Sequence, residues 1–227
     1  MNGLILLGID TSGKTASVAV CTEDSVLAQT TVYTKLTHSQ VILPICREVL
    51  KNAGMELSEI DGIAAAAGPG SYTGLRIGIS AVKAMCFALG KPCVGISTLE
   101  SLAHNVSLHK GIICAVMAAR LDLVYCAVFR SDGKRVERVT GDEILSLDEL
   151  SSRLKAMEGN AVIVGDASGM LAEKLPEERF LIATPHLRLQ LASSLCSAAF
   201  GKKLYSPDEL EAAYLQITKA EKDLAGR

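Results

Sequence analysis

The segment Gly8-Ile9-Asp10-Thr11-Ser12-Gly13-Lys14-Thr15 has the glycine, lysine and hydroxyl spacing of a phosphate-binding loop, G-x-x-x-x-G-K-[ST]. Such a loop works because a helix starts directly after the lysine, and its free N–H groups hold the phosphates. Here residues 16–21 alternate, are β-branched and stop at Thr22-Glu23-Asp24, which predicts a strand instead. A strand–turn–strand carrying Asp10, Thr11, Ser12 and Lys14 could still cradle a phosphate with backbone N–H groups and hydroxyls. It could equally be a turn that binds nothing.

The second chemical stretch is Gly68-Pro69-Gly70-Ser71-Tyr72-Thr73-Gly74-Leu75-Arg76-Ile77-Gly78. Two glycines around a proline turn the chain sharply after the apolar run 63–67. Thr73 is placed to cap the helix that follows. Arg76 falls in the first turn of that helix, where the dipole disfavours a cation, and so points to an anion or an acidic partner. Gly74 and Gly78 leave a strip free of side chains that another helix could approach.

Nucleophile and metal chemistry find less support. The histidines are His38, His104, His109 and His186, with no pair at H-x-x-x-H spacing, so a zinc peptidase lacks its ligands. No serine completes G-x-S-x-G. His38-Ser39 reads as a helix start with Ser39 as the cap. The seven cysteines (Cys21, Cys46, Cys86, Cys93, Cys114, Cys126 and Cys196) form no C-x-x-C and sit mostly in apolar runs, as small buried hydrophobes in a reducing compartment.

The elements that must position these residues follow from hydrophobic period. The chain has 227 residues, 49% hydrophobic and 21% charged, with a net charge of -2. That is a globular composition, and it excludes a strongly basic, autonomous nucleic-acid binder. Runs at 4–9, 15–21 and 25–33 predict an antiparallel meander. Apolar residues at helical spacing follow over 41–52, then a strand at 63–67, a helix at 75–89, a strand at 93–96 and a helix at 98–106. A second hairpin at 112–117 and 123–130 opens the later half, with a further strand near 135–140. Helical patterns near 147–157, 168–175 and 187–200 follow, with a strand at 161–164. The division expected is 1–107 and 108–204 as two lobes, each opening with a β-meander, and 205–227 as a tail whose Tyr214-Leu215 docks on the rest. The N-terminus lacks a basic signal region, and the longest apolar stretch, 111–129, is broken by Arg120 and Asp122, so neither a signal peptide nor a membrane span is expected. A cytoplasmic location is the expectation.

Taken together, Ile9-Asp10-Thr11-Ser12, His38-Ser39-Gln40 with Leu43-Pro44, the Gly68–Gly78 string and Tyr214-Leu215-Gln216 resemble the bacterial TsaB (YeaZ) family along nearly the whole chain. The resemblance implies an α/β, two-lobed actin-like ATPase fold of the ribonuclease H-like type. In that superfamily the first hairpin binds phosphate, and Asp10, Thr11, Ser12, Lys14, Gly68, Gly70 and Ser71 stand where a vestigial or interface nucleotide loop would be. The second loop of the nucleotide clamp should fall at 118–122, but Ala118-Ala119-Arg120-Leu121-Asp122 has no glycine for close backbone approach. The family departures are Gln40, Ala118 and Gln216, where Glu, Asp and Arg are common.

The resemblance further implies a non-catalytic scaffold or activator in tRNA threonylcarbamoyladenosine synthesis, with no catalytic residue and no metal site. It implies a heterodimer with a TsaD homologue, action of the ATPase TsaE on that pair, and contact with tRNA only through the complex. ATP or ADP would bind only in the complex, and homodimers would use the same helices. The interface expected is Val41, Ile42, Ile45, Cys46 and Val49 on one helix with Leu75, Arg76, Ile79, Val82 and Met85 on the next, so that Ile45→Asp or Val49→Asp breaks pairing and spares the fold. The alternatives are an ATP-dependent phosphotransferase of the sugar-kinase class and a glycoprotease-like peptidase.

Overall fold

A computed structural model describes residues 3–33 and 36–215; Gln216 and the rest of the tail lie outside the described residues. Three antiparallel strands, β1 (Leu6–Asp10), β2 (Thr15–Cys21) and β3 (Val26–Tyr33), lead into α1 (His38–Ala53). Then come β4 (Gly62–Gly68), α2 (Tyr72–Leu89), β5 (Cys93–Ser97) and α3 (Thr98–His104). These strands form one mixed sheet in the order β3-β2-β1-β4-β5, with β4 and β5 parallel to β1. The second sheet contains β6 (Lys110–Ala118), β7 (Leu123–Asp132), β8 (Val136–Arg138) and β9 (Glu143–Ser146). After α4 (Leu147–Ala156) it is completed by β10 (Ala161–Val164), then α5 (Ser168–Ala172), β11 (Phe180–Ile182) and finally α6 (Ala192–Ala199). Its order is β11-β10-β6-β7-β8, with β9 also on β7.

The helix starts differ from the sequence reading by one turn. α1 begins at His38 behind Thr37, whose N–H donates to the Gln40 side chain at 3.2 Å, so Thr37 and not Ser39 holds the cap position. α2 begins at Tyr72, and its cap is Ser71, whose Oγ accepts from the Gly74 N–H at 3.2 Å; Thr73 lies inside the helix. Both helices end on a glycine at positive φ, Gly54 and Gly90.

Packing crosses the sequence division at 107/108. One face of the first sheet is covered by α1 and α2, with Leu7, Ile9, Val18 and Val20 against Ile42, Val49, Ile79 and Val82. The other face is covered by α6 from late in the chain, with Leu6, Ala19 and Ala64 against Leu195, Cys196 and Ala199. In return α3 packs on the second sheet, through Leu99 and Leu102 against Ile113 and Phe129. The opposite face of that sheet carries α4 and α5. Gly8 makes room for α6: a Cβ there would stand 2.6 Å from Cys196 Sγ and 2.7 Å from the Ala192 carbonyl. No side chain of its own caps α6. Its Ala192 and Ser193 N–H groups, which have no acceptor within the helix, donate to Ser17 Oγ at 2.9 Å and Gln29 Oε1 at 2.8 Å, both from the first sheet.

The segment after α6 returns to the first sheet. Tyr205 exchanges two backbone hydrogen bonds with Cys93 at 2.9 Å, and Leu210 is buried in the α1–α2 core. Among the described residues no helix is long and apolar enough to cross a membrane.

Candidate functional site

The turn between β1 and β2 is rigid because its polar groups bond to one another. Asp10 is fully buried, and its Oδ1 accepts from the Ser12 N–H at 2.9 Å and the Ser12 hydroxyl at 2.6 Å. Thr11 donates its hydroxyl to the Gly74 carbonyl at 2.7 Å, and the Ser71 N–H donates to the Ser12 carbonyl at 2.7 Å. Gly70, just before α2, and Gly74 and Gly78, one turn apart within it, all face this turn. A Cβ on Gly70 would collide with the Ser12 carbonyl, and on Gly74 or Gly78 with Thr11. The strip that the sequence offered to a partner helix is therefore filled by this lobe's own Thr11. The formal G-x-x-x-x-G-K-[ST] match leads into strand β2, and its hydroxyls are spent on internal bonds.

Asp10 Oδ2 has no hydrogen-bond partner. Burial pushes this carboxyl above its ordinary value of 3.8, against the two Ser12 hydrogen bonds and the nearby His38, which favour the charged form. The folded protein thus holds the Asp10 proton to higher pH than the unfolded chain does. Stability from this group is complete below the unfolded value near 3.8 and is lost as pH rises through the raised folded value. Asp10→Asn removes the titration, so the variant's melting temperature should fall less than wild type's as pH is raised through that window. Parallel melting curves for the two proteins would contradict this placement of Asp10.

Next to the turn, the two lobes border a cleft of about 740 Å³. Ser12, Gly13, Lys14, Gly70 and Ser71 line it from the first lobe, and Ala118, Ala119, Arg120, Tyr125 and Asp166 from the second. Lys14 Nζ spans the cleft to Asp166 Oδ2 at 3.2 Å, and Asp166 Oδ1 accepts from the Ala118 N–H at 2.8 Å. Gly165, at φ 120°, sets Asp166 there: a Cβ would run into the Val116 carbonyl. Under the floor, Gln190 is buried against Gly13, and its carbonyl accepts from the Thr15 hydroxyl at 3.3 Å. Of the seven loop residues expected, Ser12, Lys14, Gly70 and Ser71 reach the cleft, while Asp10, Thr11 and Gly68 support it from behind. Sequence reasoning missed Asp166 and Gln190. The single local signal for Asp166 was the preceding glycine.

The interface set requires correction. Ile42, Ile45, Cys46 and Val49 are buried under α1, and Leu75, Ile79 and Val82 under α2; Val41 and Met85 are half-buried against the same core. Helical spacing located the apolar stripe, but the stripe faces this chain's own β1 and β2. Of the ten, Arg76 is exposed: its guanidinium lies over the Tyr72 ring at 4.1 Å, and its Nε donates to the Tyr214 hydroxyl at 3.3 Å. The outward surface of the two helices is made by Leu43, Tyr72, Thr73, Arg76, Ile77 and Ser80, which line a shallow groove between them. Leu43 is 54% exposed and Phe87, further along α2, is 57% exposed.

Among the described residues no three His, Cys, Asp or Glu side chains converge as metal ligands. All seven cysteines are buried thiols, and burial pushes Cys46, Cys86 and Cys126 to about 12, far from a reactive thiolate.

Comparison with known proteins gives a consistent set of likenesses. The family model described as TsaD, tRNA N6-adenosine threonylcarbamoyltransferase, matches residues 26–203. The tRNA threonylcarbamoyladenosine biosynthesis protein TsaB of Bacillus subtilis is 28% identical over 221 residues, covering 96% of each chain. A crystal structure from Pseudomonas aeruginosa, described as an uncharacterized protein with similarity to peptidase YEAZ, superposes with a TM-score of 0.83. It is 26% identical and covers 94% of this chain and 100% of its own. An activator of 2-hydroxyisocaproyl-CoA dehydratase from Clostridium difficile, solved with ADPNP, shares the fold at a TM-score of 0.53 and 12% identity, over 91% of this chain and 96% of its own.

Proposed function

The chain belongs to the TsaB (YeaZ) family and has its two-lobed actin-like fold, and from that membership we propose that it works in tRNA threonylcarbamoyladenosine biosynthesis as a non-catalytic subunit paired with a TsaD homologue. The observation that carries the pairing is the outward surface of α1 and α2, where Leu43, Tyr72 and Ile77 line a groove with Arg76 at its side. Exposed aromatic and arginine side chains around an apolar centre are the composition of a binding hot spot. Two helices presented side by side can meet two more from a partner in a four-helix contact.

The non-catalytic reading is supported by the turn chemistry. The Thr11 and Ser12 hydroxyls and the Ser71 N–H are engaged within the protein, and Lys14 is paired with Asp166 across the cleft. A net charge of -2 gives the chain little electrostatic pull on tRNA, so tRNA is reached through the complex. TsaE then acts on the pair, ATP or ADP enters only in the assembly, and the same helices serve a homodimer when the partner is absent.

The test is mass spectrometry of tRNA nucleosides after the protein is depleted in its own host. Loss of threonylcarbamoyladenosine is the expected result. Unchanged modification would overturn the assignment.

A further inference from the structure

We propose that residues 211–215 form a lid on the interlobe cleft, hinged after Leu210 and latched by Tyr214 on Tyr72 and Arg76.

The segment leading to the lid is built into the first lobe. Three positions on β4 and β5 are glycine where that segment and the lid approach. A Cβ on Gly62 would stand 2.7 Å from Leu204 Cδ1, one on Gly95 2.9 Å from the Tyr205 hydroxyl, and one on Gly68 2.5 Å from the Ala213 carbonyl. Gly68 also has a φ of 117°, which a side chain would resist. Up to Leu210 the anchoring is deep. Tyr205 pairs with Cys93, its hydroxyl accepts from the Gly95 N–H at 2.7 Å, and Leu210 is buried.

Beyond Leu210 the character changes. Glu211, Ala213, Tyr214 and Leu215 are exposed and Ala212 is half-buried. The backbone is tied down through the Ala213 N–H, which donates to the Ala67 carbonyl at 2.7 Å. The Tyr214 ring lies 4.9 Å from the Tyr72 ring, and its hydroxyl accepts from Arg76 Nε. Ala213, Tyr214 and Leu215 nevertheless line the cleft. A deeply anchored stem followed by a lightly held segment that borders a cavity opens locally at far lower cost than the fold as a whole.

The latch sits on the outward face of α2, where the pairing reading places the partner, so a docked partner would reach the lid directly. The lid itself stands without that reading, and its test uses the isolated full-length chain.

Amide hydrogen exchange measured by NMR reads the opening at Ala213. Tyr214→Ala removes an aromatic pair and the Arg76 contact, so the Ala213 amide should exchange on the order of tenfold faster, and Tyr214→Phe, which keeps the ring, should fall between the two. The Tyr205 and Cys93 amides should be unchanged. An Ala213 amide that exchanges at the wild-type rate in Tyr214→Ala overturns the latch. Equal acceleration at Tyr205 and Cys93 overturns the hinge. Access to the cleft is read separately by maleimide labelling of Met117→Cys, since Met117 lines the cleft and is buried, as are the seven native thiols. Labelling should speed up with Tyr214→Phe added, and an unchanged rate would overturn the lid's role as a cover.

Discussion

Val49→Asp should destabilise the protein by about 4 kcal/mol or more, whereas Leu43→Asp, six residues earlier on the same helix, should leave the unfolding curve unchanged and remove pairing with a TsaD homologue. Val49 has no exposed surface and packs among Val18, Val20 and the other residues between α1 and the first sheet. A carboxylate there must be buried without a partner or protonated, and the valine contacts are lost as well. The combined cost, about 4 kcal/mol or more, is a large part of the roughly 5–15 kcal/mol that a folded domain commonly has to spare. Leu43 is 54% exposed, so aspartate there keeps its water and costs the fold almost nothing. Denaturant unfolding followed by circular dichroism, with gel filtration of each variant and the partner, separates the two effects. The sequence-based expectation that Ile45→Asp or Val49→Asp would spare the fold is replaced, because both side chains are core. A Val49→Asp protein with wild-type stability would reverse the assignment of faces on α1.

Gly74→Ala should destabilise the protein by about 3 kcal/mol, at the upper end of what one inserted methyl group costs. The obstacle is the Thr11 carbonyl, which is backbone. Neither side can move easily. Thr11 follows directly on β1, a central strand of its sheet, and the start of α2 is pinned by the Ser71 cap and by the Ser71-to-Ser12 hydrogen bond. For a chain of this size the loss corresponds to a fall in melting temperature of roughly 6–12 °C. Gly141→Ala is the control: no atom lies within 4 Å of its added Cβ, and its melting temperature should stay within a degree or two of wild type. If Gly74→Ala melts with Gly141→Ala, the close approach of α2 to the turn is not what fixes glycine at position 74.

Local chemistry was legible where neighbours in sequence decide the outcome. The alternating runs became the β1–β2–β3 meander, and the helical spacing over 41–52 and 75–89 became α1 and α2. Gly68-Pro69-Gly70 became the turn between β4 and α2, and the tail's Tyr214 did dock. The strand after Lys14, read from six alternating residues, was sufficient to set aside the phosphate-loop helix.

What the residues by themselves determined was the order of elements, their periods, the charge balance and the motif string on which the family resemblance rests. Only the tertiary structure decided which face of α1 and α2 is core, why positions 8, 70, 74 and 78 are glycine, and which residues border the cleft. The reason is distance along the chain. Thr11 meets Gly74 across 63 residues, and Ser17 meets the start of α6 across 175. A stripe of apolar residues states that a helix has something to bury. It does not state whether the surface that buries it is the chain's own sheet or another molecule, since both remove the same area from water.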